Sequence, residues 1–266
     1  MFHLLQLEWK KVRKYRMFRV MAIMYLITLP ALLIAINSFQ KPPSSVLPFE
    51  MDNVMGFPML AYIGGNWLVF FFLGFISVIM ITHEFQNKTL RQNIITGLSR
   101  KEFFLAKFSF IVALSFAATA YFTIVGFVTG LFYLQDYSSA FTHIHLIPRY
   151  FLLCIAYMSY GFFLGLLIRR TGIALFVYLA YGMFVELILR YALHLKIATN
   201  KTVHFYPMNA VEDLCPANFF GETVSTMLEN AGVPVFLSPI EAIVTTIFYV
   251  SLFLFLTYRT LSRKDL

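Results

Sequence analysis

A carboxylate and a guanidinium interrupt a long apolar stretch late in the chain. Glu186 and Arg190 are four residues apart, so a helix would carry both on one face. A bare charge deep in hydrocarbon costs on the order of 2–3 kcal/mol, which makes such a pair unusual. It indicates either a gate or substrate contact in a cavity, or an intrahelical ion pair that anchors the helix end. Both interpretations stay open.

Two groups of histidines could suggest a metal site, but neither has a sufficient set of ligands. His83-Glu84 begins like the zinc-protease motif H-E-x-x-H, yet Asn87 occupies the position of the second histidine. Two histidines at i and i+4 are needed to hold zinc on one helix face. His143 and His145 form an H-x-H pair in the short outer loop before span four (near 149–168), where solvated loop histidines are the better interpretation. We therefore expect no metal.

The sequence also lacks the motifs of the common catalytic machineries. No G-x-S-x-G nucleophile elbow and no G-x-x-x-x-G-K-[ST] phosphate loop occurs. Cys154 falls inside an apolar run and Cys215 in a polar connection, where we expect a buried hydrophobe and a lone outer thiol. The chain is therefore expected to be neither an enzyme nor the holder of a cofactor.

The elements that position these residues follow from composition. Hydrophobic residues make up 59% of the 266 residues, charged residues only 13%, and the mean hydropathy is +0.74. A soluble fold could not bury so much apolar surface. Charge-free runs of about 20 residues predict an all-α polytopic membrane protein. We expect one transmembrane domain, 1–266, with spans near 18–38, 60–82, 100–134, 149–168, 172–194 and 239–258. The long basic lead-in marks the first span as retained, not as a cleaved signal peptide.

The net charge of +8 is distributed unevenly along these spans. The N-terminal segment, the connections between spans two and three and between four and five, and the C-terminal end hold 16 basic and 4 acidic residues. The remainder holds 5 basic and 9 acidic residues. Because cytoplasmic loops are enriched in Lys and Arg, both termini are expected in the cytoplasm. The basic excess is thus a topology signal, not a nucleic-acid footprint.

The connection between spans two and three, residues 83–104, has the marks of a rigid elbow. Leu90, Ile94 and Ile95 give a short helix one apolar face, and Gly97 can end it. Ser99 and Glu102 then form a capping box that starts span three. That helix would be about 50 Å long, against a hydrocarbon core of about 30 Å, so its first turns must protrude. A rigid projection suits contact with a soluble partner; an amphipathic loop lying on lipid headgroups is the alternative.

The same loop resembles that of ABC-2 type ABC transporter permeases. The matching residues run from Glu84-x-x-Asn-Lys-Thr-Leu-Arg to Ile95-x-Gly-x-Ser-Arg-x-x-Phe-x-x-x-Lys107, with Asn87 where the family often has Gly. The resemblance implies a type V exporter-like fold and a separate ABC ATPase subunit that binds ATP and Mg. It also implies a second permease copy or homologue and the bacterial cytoplasmic membrane. The ATPase-coupling contacts it implies are Glu84, Thr89, Gly97, Ser99, Arg100 and Lys101.

Glycines indicate where helices approach each other closely. Gly126 and Gly130 on span three, and Gly161 and Gly165 on span four, are small-xxx-small pairs that could pack within the chain or across a dimer. Gly64-Gly65 near the start of span two is a candidate helix break.

The outer segment 195–238 is long for a connection and has signs of helix. Phe220, Val224, Met227 and Leu228 recur at helical spacing, and Gly232 follows as a stop. This pattern predicts an outer helix, either re-entrant or lying on the surface. Ser238-Pro239-x-Glu241 caps span six. The other long outer connection, 41–57, contains three prolines, and we expect no regular structure there.

Taken with the resemblance, these features favour the permease of an ATP-driven exporter that works by alternating access. Two alternatives stay open. An ion-coupled secondary transporter would need acidic or broken-helix sites near the midplane, for which Glu186 is the candidate. A non-catalytic membrane anchor or assembly protein would need neither a cavity nor an ATPase. The sequence does not rank lipids, peptides and drug-like molecules as substrates.

Overall fold

A computed structural model describes residues 2–39, 57–95, 97–133, 143–194, 197, 201–216 and 236–263. The described residues form helices and connections, with no strand among them. Six helices are long and apolar enough to cross a membrane, and they begin and end close to the predicted bounds. These spans one to six are Arg16–Ala35, Leu60–Gln86, Arg100–Phe132, Leu146–Ile168, Thr171–His194 and Pro239–Ser262.

Spans two and four form the centre of the bundle. In their most apolar windows 72% and 67% of residues are buried, against 22%, 17% and 22% in spans one, five and six. Glycines allow the two central helices to touch. A Cβ on Gly161 would lie 2.7 Å from the carbonyl oxygen of Gly74, and one on Gly165 would lie 3.1 Å from that of Val78. The glycine pair on span four therefore packs against span two within the chain. Gly126 and Gly130 are also buried.

The predicted break at Gly64-Gly65 is wrong, because span two continues there as a π-helix, Ile63–Leu73. The glycines serve close packing instead. A Cβ on Gly64 would come within 2.7 Å of Leu29 and 3.2 Å of the hydroxyl of Tyr150. That hydroxyl shares a 2.6 Å hydrogen bond with the hydroxyl of Tyr25 on span one. Span five also contains π-helical turns, Tyr181–Val185 and Leu189–His194, on either side of Glu186–Ile188.

One end of the bundle, called the basic face below, carries both ends of the described chain. An amphipathic N-terminal helix, Phe2–Val12, packs there against span three. The elbow contains a short helix, Thr89–Ile95, and the first turn of the long helix Arg100–Tyr133. Gly97 between them has φ +101°, a value that favours glycine, as expected for a helix stop. The predicted capping box is confirmed: the Ser99 N–H donates to Glu102 at 2.8 Å and the Glu102 N–H to the Ser99 hydroxyl at 3.2 Å.

The other end, called the opposite face, is covered by the segment that follows span five. It contains a 3₁₀ turn, Lys201–His204, and a short outer helix, Pro207–Glu212. The helix predicted over residues 220–232 and the connection 41–56 lie outside the described residues. Span six starts with the predicted cap, in which the Ser238 N–H donates to Glu241 at 2.8 Å. Cys215 is a free thiol in this connection, as expected, but it is 1% exposed, and burial raises its pKa to about 12.

Candidate functional site

A buried ion network lies at the base of the elbow. The Lys107 ammonium on span three is 2.5 Å from a Glu8 oxygen of the N-terminal helix and 2.6 Å from a Glu84 oxygen at the end of span two. Lys11 approaches the same two carboxylates at 3.2 and 3.5 Å. The side chains of Glu8, Glu84 and Lys107 are 4%, 1% and 1% exposed. Buried charges persist only when they are paired, so this network holds three elements together.

The elbow helix is joined to that network through Thr89. Its hydroxyl donates to the second oxygen of Glu84 in a very short hydrogen bond and lies 3.3 Å from the Glu84 main-chain oxygen. The next residue, Leu90, is 2% exposed and belongs to the apolar core. The start of the elbow helix is therefore bonded to the end of span two, and the two have to move together.

Arg100 connects the far side of the elbow to span six. Its guanidinium donates to the carbonyl oxygens of Leu261 at 3.1 Å and Ser262 at 2.7 Å. These carbonyls belong to the last turn of span six, where helical carbonyls lack intrahelical donors and a nearby cation is favourable. Spans two, three and six therefore converge on this loop.

The exposed surface of the elbow combines one apolar side chain with polar ones. Ile95, at the end of the elbow helix, is 75% exposed and is flanked in sequence by polar and charged residues. Among the described residues of the elbow, the other exposed ones are Gln86, Asn87, Lys88, Gln92, Gly97, Ser99, Lys101 and Glu102. Among the predicted coupling residues, then, Gly97, Ser99 and Lys101 lie on the surface. Glu84 is buried, and Thr89 and Arg100 are partly buried.

At the opposite face, Glu186 caps the outer helix. Its two carboxylate oxygens accept the N–H groups of Met208 at 2.9 Å and Asn209 at 2.7 Å, in the first turn of Pro207–Glu212. Free N–H groups at a helix start favour an anion. The acidic residue that the sequence singled out within span five thus holds a segment about twenty residues further along the chain.

Arg190, one turn further along span five, holds the same connection. Its Nε donates to the Val203 carbonyl oxygen at 3.1 Å, and its Nη2 lies 3.4 Å from Nδ1 of His204. No ion pair joins Glu186 to Arg190 within the described part of the chain. The two residues share a helix face, as expected, but each bonds to the segment that covers the opposite face.

Between spans two and five and the outer helix lies a cleft of about 270 Å³, called the outer cleft below. Aromatic and polar side chains both line it. All its lining residues together are Tyr62, Asn66, Trp67, Phe70, Phe71, Tyr157, Gly182, Met183, Glu186, Leu187, Arg190, Met208, Asn209 and Glu212. Burial and the nearby charge of Glu186 raise the pKa of Glu212 to about 7. Its size and mixed lining suit a small amphipathic ligand.

Comparison with known proteins then decides the family. The model of a family described as ABC-2 family transporter protein matches residues 4–192, more than two thirds of the chain. The chain belongs to the ABC-2 transporter family. No curated protein matches it.

Membership of the ABC-2 family makes this chain an integral membrane protein and a permease subunit of an ABC transporter. Proteins of this family are membrane transport components that associate in general with an ABC ATPase subunit, and they are not themselves ATPases. The elbow and the outer cleft are therefore parts of a transporter. The predicted contact of the elbow residues with an ATPase stays a prediction.

The sequence reasoning missed several residues of these two sites. Glu8 was counted only as a charge on the basic side, although a signal for its burial was present, and Lys107 was noted only as a charge there and as the last residue of the family pattern. Glu8 stands one helical turn before Val12, on the apolar side of the N-terminal helix, and both residues are buried. Asn66 and Glu212 had no comparable signal, because only the folded chain brings them to one cleft.

Proposed function

We propose that this ABC-2 permease is the membrane subunit of an exporter, driven by a separate ATPase that contacts the elbow. One observation carries the proposal: the elbow is bonded at once to spans two, three and six and to the N-terminal helix. Glu84, Lys107 and Arg100 make those bonds. A force on the exposed surface around Ile95 would therefore reach half of the spans without an intervening flexible link.

The mechanism that fits this construction is alternating access. ATP binding can shift the permease between conformations only by the difference in contact energy that the partner makes with each one. An elbow bonded through buried charges moves as a unit, because separating the ions would leave unpaired buried charges. Movement of span two at the elbow would then change the other end of the same helix, where it lines the outer cleft.

The orientation in this proposal puts the basic face in the cytoplasm. The positive-inside rule supports it, since the residues of that face carry most of the 21 lysines and arginines. A cytoplasmic elbow is accessible to an ATPase and to ATP, and the outer cleft then opens away from the cytoplasm, as release by an exporter requires. The bacterial cytoplasmic membrane is the proposed location.

A second copy of this permease, or a homologue, completes the proposed transporter. Span five is the least buried of the six described spans, and it exposes large apolar side chains such as Phe176, Phe184 and Ile188. Such a surface suits another membrane helix as well as lipid. Two copies would give twelve spans, with an ATPase on each elbow.

An ion-coupled secondary transporter is not favoured by the position of Glu186. A proton or ion site needs a carboxylate that can exchange its partner. Both oxygens of Glu186 accept main-chain N–H groups, so this residue caps the outer helix and does not serve as an exchangeable ion site.

The test is purification of the tagged full-length chain in mild detergent, followed by identification of copurifying proteins that contain a phosphate loop. Ile95→Asp would place a charge at the centre of the exposed surface and should abolish copurification, whereas Ile95→Val should retain it. Arg100→Glu should also abolish it. Because Arg100 bonds to span six, Ile95→Asp is the cleaner variant.

The outcomes separate the parts of the proposal. Loss of the ATPase from Ile95→Asp with normal membrane insertion supports the elbow as the contact. Copurification that is equal in wild type and Ile95→Asp places the contact elsewhere. Absence of any phosphate-loop ATPase from the wild-type preparation, with no response of the permease to ATP, would overturn the proposed function. ATP-dependent uptake into inverted vesicles tests the direction of transport.

A further inference from the structure

The outer cleft contains more acidic groups than cationic ones. Among its lining residues, Glu186 and Glu212 are acidic and Arg190 is basic. Asp213 follows immediately. Burial raises the pKa of both Glu212 and Asp213 to about 7, and the nearby charge of Arg190 offsets only part of this increase. His204 adds an imidazole beside Arg190 and Asn209. An additional cation in this cleft would therefore be attracted rather than repelled.

The hydrogen bonds within the cleft show which group is available to a ligand. The Glu186 carboxylate accepts hydrogen bonds from two main-chain N–H groups. Asp213 accepts the N–H of Leu237 and the side-chain amide of Asn209, both at 3.0 Å. Arg190 is directed to the Val203 carbonyl oxygen. The Glu212 carboxyl makes no hydrogen bond to any part of the chain that the structure describes. It is the acidic group in the lining that can bind something else.

A second acceptor lies across the cleft on span two. The side-chain oxygen of Asn66 is buried and has no hydrogen-bond partner among the described residues. A buried acceptor without a donor costs about 1–3 kcal/mol, so native proteins rarely keep one without a ligand or a water to satisfy it. Within the part of the chain that the structure describes, Asn66 and Glu212 thus both lack an N–H donor, and both line the same cleft.

The walls between these acceptors are aromatic. Trp67 and Phe71 stack with ring centroids 6.2 Å apart, and Phe70 meets Tyr157 edge to face at 5.3 Å. Aromatic faces attract cations and accept apolar ring or chain groups equally well. The cleft therefore offers an apolar surface and two acceptors within one small volume.

The backbone around the cleft is irregular on both sides. Asn66, Trp67, Phe70 and Phe71 belong to the π-helical stretch of span two, and Gly182, Met183 and Arg190 to those of span five. π-helical turns are rare and are concentrated at functional sites. Here they face each other across one cleft.

We propose that the outer cleft binds an organic cation, a protonated primary amine on an apolar or aromatic body. The ammonium N–H groups would donate to Glu212 and to the Asn66 oxygen, while the body lies against Trp67 and Phe70. A neutral apolar ligand would leave both acceptors unsatisfied, and an anion would be repelled by the carboxylates. This inference rests on the proposed function in taking the cleft as a substrate site.

The two tryptophans of the chain, Trp9 and Trp67, make a direct test possible. Trp9 lies near the basic face against Phe18 and Phe110, so Trp9→Phe leaves Trp67 as the only tryptophan reporter, inside the cleft. The full-length Trp9→Phe protein in lipid nanodiscs is titrated with 2-phenylethylamine and with its neutral analogue 2-phenylethanol, while Trp67 emission is recorded. We expect the amine to bind at least about tenfold more tightly, the effect of one charge-assisted hydrogen bond.

Substitutions of cleft residues test whether the preference for the amine over the alcohol arises in the outer cleft. Glu212→Gln should lower the affinity for the amine about tenfold and leave that for the alcohol unchanged. Asn66→Leu should also weaken amine binding. Glu102→Gln makes the same chemical change at the basic face, where glutamine still completes a capping box, and should not alter amine binding. Normal gel-filtration profiles establish folding of each variant.

Equal affinities for amine and alcohol would overturn the inference, and so would full amine affinity in Glu212→Gln. These measurements use the isolated permease and need no ATPase. If no ATPase copurifies with the permease, the exporter proposal fails, but the ligand-binding measurements can still be interpreted. Conversely, an ATPase-bound permease that binds amine and alcohol equally would refute only the ligand class.

Discussion

Replacement of Lys107 by methionine tests whether the buried ion network holds the elbow. The ammonium is 2.5 and 2.6 Å from two carboxylates, and the side chain is 1% exposed. Methionine keeps the approximate length but leaves Glu8 and Glu84 as buried like charges. Loss of one partner of a buried ion pair costs about 3–5 kcal/mol. Lys11, at 3.2 and 3.5 Å with a side chain 32% exposed, retains part of the compensation, so we expect about 3 kcal/mol.

The assay is thermal unfolding of the full-length protein in nanodiscs at one fixed scan rate, because membrane proteins of this size commonly unfold irreversibly. A loss of about 3 kcal/mol should lower the apparent Tm by roughly 6–12 °C. Lys101→Met is the matched control, since this lysine is on the same helix but exposed, and its apparent Tm should equal that of the wild type.

A rescue makes the interpretation specific. Combining Lys107→Met with Glu8→Gln and Glu84→Gln removes the uncompensated charges, and neutral replacement of a whole buried network is often harmless. The triple variant should therefore be more stable than Lys107→Met alone. An unchanged Tm in Lys107→Met, or a triple variant that is less stable still, would show that the network does not contribute as argued.

Three further predictions use the same assay. Gly161→Ala should lower the free energy of unfolding by about 1–3 kcal/mol, because the new Cβ would lie 2.7 Å from a main-chain oxygen that cannot move aside. Gly172→Ala is the control: a Cβ there has nothing within 4 Å, so this change should be neutral or stabilising by up to about 1 kcal/mol. Tyr25→Phe and Tyr150→Phe should each cost about 1 kcal/mol, and the double variant should cost less than their sum, since both remove one shared hydrogen bond. The Glu212 carboxyl has a pKa of about 7 in the fold, above its unfolded value, so its contribution to stability is complete below about pH 4 and is lost as the pH rises to 7. Glu212→Gln should flatten this fall, and an unchanged pH profile would contradict the assignment.

Local patterns were sufficient for much of the helical framework. Five charge-free apolar runs, and a sixth that only Glu186 and Arg190 interrupt, predicted the six spans, since a hydrocarbon solvent requires about 20 apolar residues for each crossing. Ser99 with Glu102, and Ser238 with Glu241, were read correctly as helix starts, because a capping box involves residues only three apart. Gly97 was read correctly for the same reason.

Features that depend on long-range packing were not readable in this way. Gly64-Gly65 was interpreted as a helix break, but the glycines are needed for the approach of Leu29 and Tyr150 from other spans. Cys215 was expected only to be a lone thiol of an outer connection, and its burial against the bundle was not foreseen. In both places the deciding neighbours are far away in sequence.

The sequence by itself determined that this protein is an all-helical membrane protein with a charged elbow at one end, because hydropathy, capping and charge bias act over a few residues at a time. Only the tertiary structure decided what the charges do. Glu186 and Arg190 bond to the outer connection and not to each other, and Glu84 is buried beside Lys107. A buried charge is stable only beside a partner, and the fold can supply that partner from a distant part of the sequence. The spacing of residues along the chain therefore does not identify it.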